Sequence, residues 1–554
     1  MKLAGWMGAL LVLFGAQAWA VDESSGESDE PTENASSRLE DAHPVALERI
    51  IVQALPIERS AIQSAQPIDV LTGEALEDRR GVTLGETLAN QVGVQSSYYG
   101  PGAGRPIIRG LGGGRVRVLN DGLSLGDASS SSDDHAVSAD PLLIDQIEIL
   151  RGPATLLYGS GAIGGVINLI DNRIPSTLPM GSPEASYEIR GNSVSDEISG
   201  VVRLDGHQGS LAWHVDGSWR SSDDYKIPLS HEAEEEEHEG DHDHEAHEPS
   251  DRLFNSFVES QSGTLGLSYI GERGFVGASI RHYASDYGIP APHFHEEDAD
   301  EEHMHEDGHD DEHAEEEIYA TVDLEQTRFD IKAGLDKPWS GIKRLSVRLA
   351  YDDYAHEEKE SGEAHDLHGE HADEHADEDH DHDAYGTRFD IETVQARVEL
   401  ETESFEALGQ TWVGALGLQY DDEDFSSLGA EAYVVPNLTE SIALFSLQET
   451  TWGAATLSFG ARVEQTKIKA DMEYGHDHDL DHDHADDMAL EKDRRKFTVG
   501  SMSAGVVWPI NEGWQATANV SYAQRAPSAG ELFANGAHLA TFSFERGNAN
   551  LVRE

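Results

Sequence analysis

The stretch 211-LAWHVDGSWR-220 alternates without a break. Leu211, Trp213, Val215 and Trp219 fall on one face of an extended chain. His214, Asp216, Ser218 and Arg220 fall on the other, because successive side chains of a strand point to opposite sides. The runs 345-LSVRLAYD-352, 394-VQARVELE-401, 412-WVGALGLQY-420 and 514-WQATANVSY-522 repeat the pattern. Segments of about ten residues, apolar on one face only and separated by turns, mark an outer-membrane barrel. A soluble β-sandwich alternates too. It rarely carries several structureless loops of more than about 20 residues, and long polar insertions separate these strands.

The N-terminus supports export. Lys2 gives a positive start, 8-GALLVLFGA-16 an apolar core, and Ala18-Trp19-Ala20 a small-residue cleavage site, so residues 1–20 read as a signal peptide. That run is too short to span a bilayer as a helix, and no later segment approaches about 18 apolar residues. A membrane-spanning form must then be a closed sheet, which pairs every backbone group in lipid. Residues 21–44 are rich in Ser, Glu and Asp and read as disordered.

The polar insertions have an unusual composition. They are 231-HEAEEEEHEGDHDHEAHE-248, 293-HFHEEDADEEHMHEDGHDDEHAEEE-317, 356-HEEKESGEAHDLHGEHADEHADEDHDHD-383 and 476-HDHDLDHDHADD-487, and they hold most of the 28 histidines. Charge runs are usually solvated loops. Interleaved imidazole and carboxylate, however, are the ligands of divalent first-row metals. His242, His244, His293, His295, His303, His305, His356, His380, His382, His476, His478, His482 and His484 are low-affinity metal-ligand candidates. All four tracts fall between strand segments and read as loops, which by barrel convention face outside. The net charge of -68 argues against nucleic acid and suits a cation. The chain has no cysteine, which removes disulfides, thiolate zinc sites and thiol catalysis.

From 45 to 175 the composition changes to glycine and short apolar runs. In 84-LGETLANQVG-93, Leu84, Leu88 and Val92 share helical spacing, and 115-RVRVLNDG-122 reads as a strand ending in an Asp121-Gly122 turn. Three runs here, 84-LGETLANQVGVQSS-97, 105-RPIIRGLGGGRVRVLNDG-122 and 144-IDQIEILRGPATLLYGSGAIGGVINLI-170, resemble the plug of TonB-dependent outer-membrane receptors. The resemblance implies an all-β fold: a transmembrane antiparallel β-barrel with an N-terminal α+β plug inside it. It divides the chain into a TonB-box region (45–56), a plug (57–175) and a barrel (176–554). The family's 22 strands exceed what the residues after 180 provide, and 547-GNANLVRE-554 lacks a terminal aromatic strand, so a truncated sequence is the expectation. The segment 48-ERIIVQA-54 sits where the family keeps its TonB box, which makes Glu48, Arg49, Ile50, Ile51, Val52, Gln53 and Ala54 the candidate TonB contacts. Arg109, Arg151 and Glu148, charges set among apolar residues, read as plug-to-wall ion pairs.

Within the family, the His-rich loops resemble the zinc-importing branch, as do 131-SSDDHAVSADPL-142, 351-YDDYAHEEK-359 and 525-RAPSAGELFANGAHLATFSFERGN-548. That resemblance implies a zinc site shared between plug and barrel, carried here by Asp134, His135, Glu358 and His538. The implied function is active import of Zn²⁺ across a Gram-negative outer membrane, driven by the TonB–ExbB–ExbD complex, with no covalent chemistry. Ni²⁺, Co²⁺ or Cu²⁺ would suit the same donors. Haem or a metal–chelate is the alternative cargo, and a surface metal buffer without transport is the second alternative. Histidine must be neutral to bind a metal, so uptake is expected to weaken as the pH falls through about 6.5.

Overall fold

The computed structural model describes residues 51–228, 251–293, 318–362, 386–470 and 494–554, apart from 58, 153–154, 430–431, 512–513 and 539–542. The expected signal peptide (1–20), the segment 21–44, Glu48, Arg49 and Ile50 lie outside these residues. So do His242, His244, His295, His303, His305, His380, His382, His476, His478, His482 and His484.

The alternating segments form one antiparallel sheet of 14 strands. Thirteen of them follow one another in sequence order from Glu184–Asn192 to Trp514–Tyr522, and the short strand Phe405–Ala407 pairs off this path with Gln410–Gly429. Its polarity is inverted relative to a soluble sandwich. In Leu211–Ser222 the polar positions His214, Asp216, Ser218 and Arg220 are buried, while Leu211 and Trp219 are exposed. The same holds around the sheet, where Leu265, Leu267, Phe329, Ile331, Leu416, Leu418, Ile442 and Leu444 all face out. An apolar outer belt over a polar inner face is what lipid requires of a barrel.

The polar inner face is buried because a small domain lies against it. That plug has a five-stranded sheet ordered Ile68–Thr72, Gln146–Arg151, Gly165–Ile170, Val116–Asn120, Leu123–Ser124. Its core is apolar on every strand, with Ile147, Ile149, Ile167 and Leu169 fully buried. Each such side chain contributes about 1.5–3 kcal/mol through loss of water contact. Asp121 (φ 50) and Gly122 (φ 82) form the expected tight turn between paired strands. The helix over Leu84–Leu88 is shorter than its spacing suggested: Thr83 caps its start, Leu84 and Leu88 are buried, and Val92 lies beyond its end, exposed.

The sheet wraps the plug, as contacts from well-separated strands show. Arg203 pairs with Asp145, Lys332 Nζ lies 3.0 Å from Asp121 Oδ1, and Arg117 lies 3.4 Å from Asp421. Arg397 Nη1 donates to the Leu157 carbonyl at 2.8 Å, and Gln515 Nε2 to the Ile62 carbonyl at 2.7 Å. These, rather than the three expected charges, make the plug-to-wall links. Arg151 instead pairs with Asp69 inside the plug. Glu148, fully buried in the plug, accepts the backbone N–H groups of Gln53 (2.5 Å) and Ala54 (2.7 Å). Tyr158 donates its hydroxyl proton to the Ala54 carbonyl. The described part of the TonB-box candidate, Ile51–Ala54, is thus fastened to the plug, with Val52 and Ala54 buried.

Candidate metal site

The plug loop carrying Asp134 and His135 is held at both ends. Asp127 accepts from Ser129 N–H (3.2 Å) and Ser138 N–H (2.9 Å), and Asp140 caps the turn that follows. Between them a wall residue clamps the backbone. The Tyr287 hydroxyl accepts from Ala136 N–H and donates to the Asp134 carbonyl, each at 3.0 Å. Gly126, just upstream, has φ +68, and a Cβ there would stand 2.8 Å from both Asp352 and Thr393 of the wall, so only glycine lets the loop lie this close.

The wall contributes from the strand Ile342–Gly362. The period of two puts Tyr354, His356 and Glu358 on its inner face, all buried. His356 is registered opposite Phe389 and stacks on it, with ring centroids 4.4 Å apart. Tyr354 Oη lies 2.8 Å from His356 Nδ1. His538 arrives on a third element, the strand Asn535–His538, which follows a helix over Ala529–Phe533 that starts in a Ser528–Glu531 capping box. Asn535 N–H donates to the Tyr433 carbonyl at 2.7 Å, and the Tyr433 ring stacks on His538 at 4.6 Å.

The fold therefore brings Asp134, His135, Glu358 and His538 together, and adds His356. His135 Nε2 is 2.8 Å from Glu358 Oε1 and 3.8 Å from Asp134 Oδ2. His538 Nε2 is 3.4 Å from Asp134 Oδ2, and His356 Nε2 is 3.3 Å from Glu358 Oε1. Donors of a tetrahedral zinc ion stand about 3.3 Å apart when each bond is about 2.0–2.1 Å. The four spacings, 2.8–3.8 Å, straddle that value, and two of them, 3.3 and 3.4 Å, lie close to it. Asp134 Oδ2 is buried and makes no hydrogen bond of normal geometry. A buried carboxylate oxygen facing two imidazoles, at 3.4 and 3.8 Å, is chemically suited to a cation.

His356 corrects the sequence reading, which placed it in a loop tract. Residues 356–362 continue the strand, and the tract begins on the inner wall. The signal was present as the alternation Tyr354, His356, Glu358, masked by the acidic letters around it. His293 likewise ends the strand Gly274–His293.

The electrostatics of the plug loop move the pH window. Burial pulls the His135 pKa down, but the Asp134 carboxylate and the Glu358 contact outweigh it and hold it at about 9. Burial raises Asp134, yet His135, His538 and Ser132 together keep it well below the usual carboxylate range. At neutral pH an ion entering this site must expel a proton from His135. Affinity should therefore rise about tenfold per pH unit from neutrality and level off at about 9, rather than at 6.5. Zinc titrations across that range check this, and a flat profile would contradict it. In the metal-free protein the sign reverses. Protonated His135 stabilises the fold fully below its ordinary 6.5, and that contribution is lost as the pH rises through about 9.

Tyr287→Phe should test the clamp. It removes both backbone hydrogen bonds around His135 and no metal donor. Zinc affinity is expected to fall about tenfold, as for other groups that orient ligands, with little change in unfolding temperature. Equal affinity would show that the loop holds its shape without the hydroxyl.

Comparison with known proteins agrees with this architecture. Residues 60–166 match the family model described as TonB-dependent Receptor Plug Domain, and residues 255–554, more than half of the chain, match TonB dependent receptor-like, beta-barrel. Curated relatives align locally. The "Hemin receptor" of Yersinia pestis is 35% identical over 119 residues, 21% of this chain and 17% of that protein. The "Vitamin B12 transporter BtuB" of Vibrio cholerae is 35% identical over 127 residues, 22% of this chain and 20% of that one. The chain thus spans about a fifth of the length of these relatives. Among solved structures, the Serratia marcescens hemophore receptor HasR superposes with a TM-score of 0.61 at 15% identity, over 89% of this chain and 68% of that one. The copper transporter OprC gives 0.59 at 14%, over 85% and 66%. These two likenesses are of fold alone. With a matching plug inside a matching barrel sheet, the chain belongs to the TonB-dependent receptor family.

Proposed function

We propose that the chain is part of an outer-membrane importer of zinc ions, energised by the TonB–ExbB–ExbD complex. The observation that carries this reading is the buried set Asp134, His135, His356, Glu358 and His538, drawn from plug, wall and a third segment. Its nitrogen and carboxylate donors suit a borderline ion such as Zn²⁺. The acidic, His-rich tracts would raise the cation concentration at the mouth by electrostatic focusing. Ions would then pass to the buried set, where His135 and Asp134 belong to the part that moves and Glu358 to the part that does not. Traction on the Ile51–Ala54 segment would act on the plug through Glu148 and Tyr158. No covalent step is involved.

Haem is the second reading, favoured by the hemin receptors among the relatives. It needs a histidine with one open face and an apolar slot beside it. His356 and His538 each have an aromatic ring on one face, but the donors point at one another across ion-sized gaps. Competition separates the two. Zn²⁺ should displace Co²⁺ from the purified chain while haemin does not. A haemin Soret shift lost in His538→Ala, with no zinc competition, would overturn the zinc reading.

A further inference from the structure

The buried donors form two sets. The ligand atoms of Asp134, His135 and His538 lie within 4.8 Å of one another, and so do those of His135, His356 and Glu358. His135 belongs to both. Each set offers three protein donors, the number that leaves a zinc ion one open position and keeps it exchangeable.

His135 can serve only one ion at a time. Its Nδ1 lies 3.1 Å from Ser131 Oγ and 3.3 Å from the Ala128 carbonyl. An N–H there, held by that carbonyl, leaves Nε2 as the one lone pair for a metal. Nε2 is the atom that faces Glu358 at 2.8 Å and Asp134 at 3.8 Å. Two ions in the two sets would need two lone pairs from this ring, and only one is free.

The sets also differ in what carries them. His356 and Glu358 sit on the wall strand Ile342–Gly362, which leads directly into the longest His-rich tract. Asp134 sits on the plug, and His538 on the separate strand Asn535–His538. His356 has a partner fit for both states. The Tyr354 hydroxyl, 2.8 Å from Nδ1, donates when Nε2 carries the proton and accepts when Nε2 binds metal. Releasing a divalent ion from every donor in a buried interior is costly. A shared ligand avoids that state.

We propose that these residues form two overlapping stations for a single divalent ion. The wall station is His135, His356 and Glu358, the plug station is Asp134, His135 and His538, and His135 stays bound while the ion passes between them. This rests on the metal reading above and adds His356 as a ligand in its own right.

Co²⁺ is the probe, because its visible absorption is strong in a four-coordinate buried site and weak in hydrated loops. The purified full chain should take up one Co²⁺ with the strong bands, displaced by Zn²⁺. His356→Ala and His538→Ala should each still bind one, about tenfold or more weaker, with spectra that differ from each other and from the wild type. The double variant and His135→Ala should show no strong bands. His356→Gln, which keeps bulk and a hydrogen bond to Tyr354, should match His356→Ala in spectrum, so that misfolding is not mistaken for ligand loss. Two strongly absorbing Co²⁺ in the wild type would overturn the proposal. So would His356 variants with unchanged affinity and spectrum, or strong bands surviving in His135→Ala. A wild type without strong bands would instead overturn the metal reading itself.

Discussion

His135→Ala should abolish tight zinc binding while leaving weak, multiple binding intact. Losing even an outer partner of a metal ligand costs roughly 10–100-fold in affinity. His135 is more than that. It faces Glu358 Oε1 at 2.8 Å and Asp134 Oδ2 at 3.8 Å and belongs to both donor sets. Its removal leaves two pairs, Asp134 with His538 and His356 with Glu358, too few to outcompete water. The expected drop is about 100-fold or more. Zinc competition against a chelating indicator measures it. The His-rich tracts would continue to bind at high zinc, so the two components separate on the titration curve. A variant that keeps the tight component would remove His135 from the site.

The second large effect concerns energy coupling. Deleting residues 48–54 should abolish zinc uptake and leave zinc binding unchanged. The segment's described residues, Ile51–Ala54, contribute no metal donor to the buried sets. Its removal does strip Glu148 of the Gln53 and Ala54 N–H groups, leaving Asn168 and Gln146 as donors to a buried carboxylate. Burial already raises the Glu148 pKa, and loss of those two donors would raise it further. The deletion is therefore best made together with Glu148→Gln, with Glu148→Gln alone as the control. Uptake lost in the first and kept in the second places the requirement on the segment. Uptake kept in both would favour a passive pore over an energised importer.

Much of this was legible in the sequence, for physical reasons. A strand's period of two is local, so 211-LAWHVDGSWR-220 declared its two faces without knowledge of its neighbours. The direction of those faces was not local. His214 and Asp216 are buried only because the plug occupies the space beside them. Asp121-Gly122 likewise announced its turn through residues that tolerate positive φ. Val92 did not follow its helical spacing, since one capped turn and Gly93, at φ +72, end the helix first. The site was divided in the same way. Asp134, His135, Glu358 and His538 came from resemblance, and the structure places them in two donor sets that share His135, with Asp134 and His538 in one and Glu358 in the other. His356 was named only as a weak loop ligand, because tract and strand are written in the same letters. Nothing in the sequence connects Glu148 to Gln53 and Ala54, which are over 90 positions away and meet it through backbone N–H groups common to every residue type.

Zinc import by this chain should run through Asp134 and His135. Zinc accumulation by energised cells that depend on this chain, wild type against His135→Ala in zinc-limited medium, tests it most directly. Accumulation is expected in the wild type, with its loss in the variant at equal surface expression. Equal accumulation in both would contradict it.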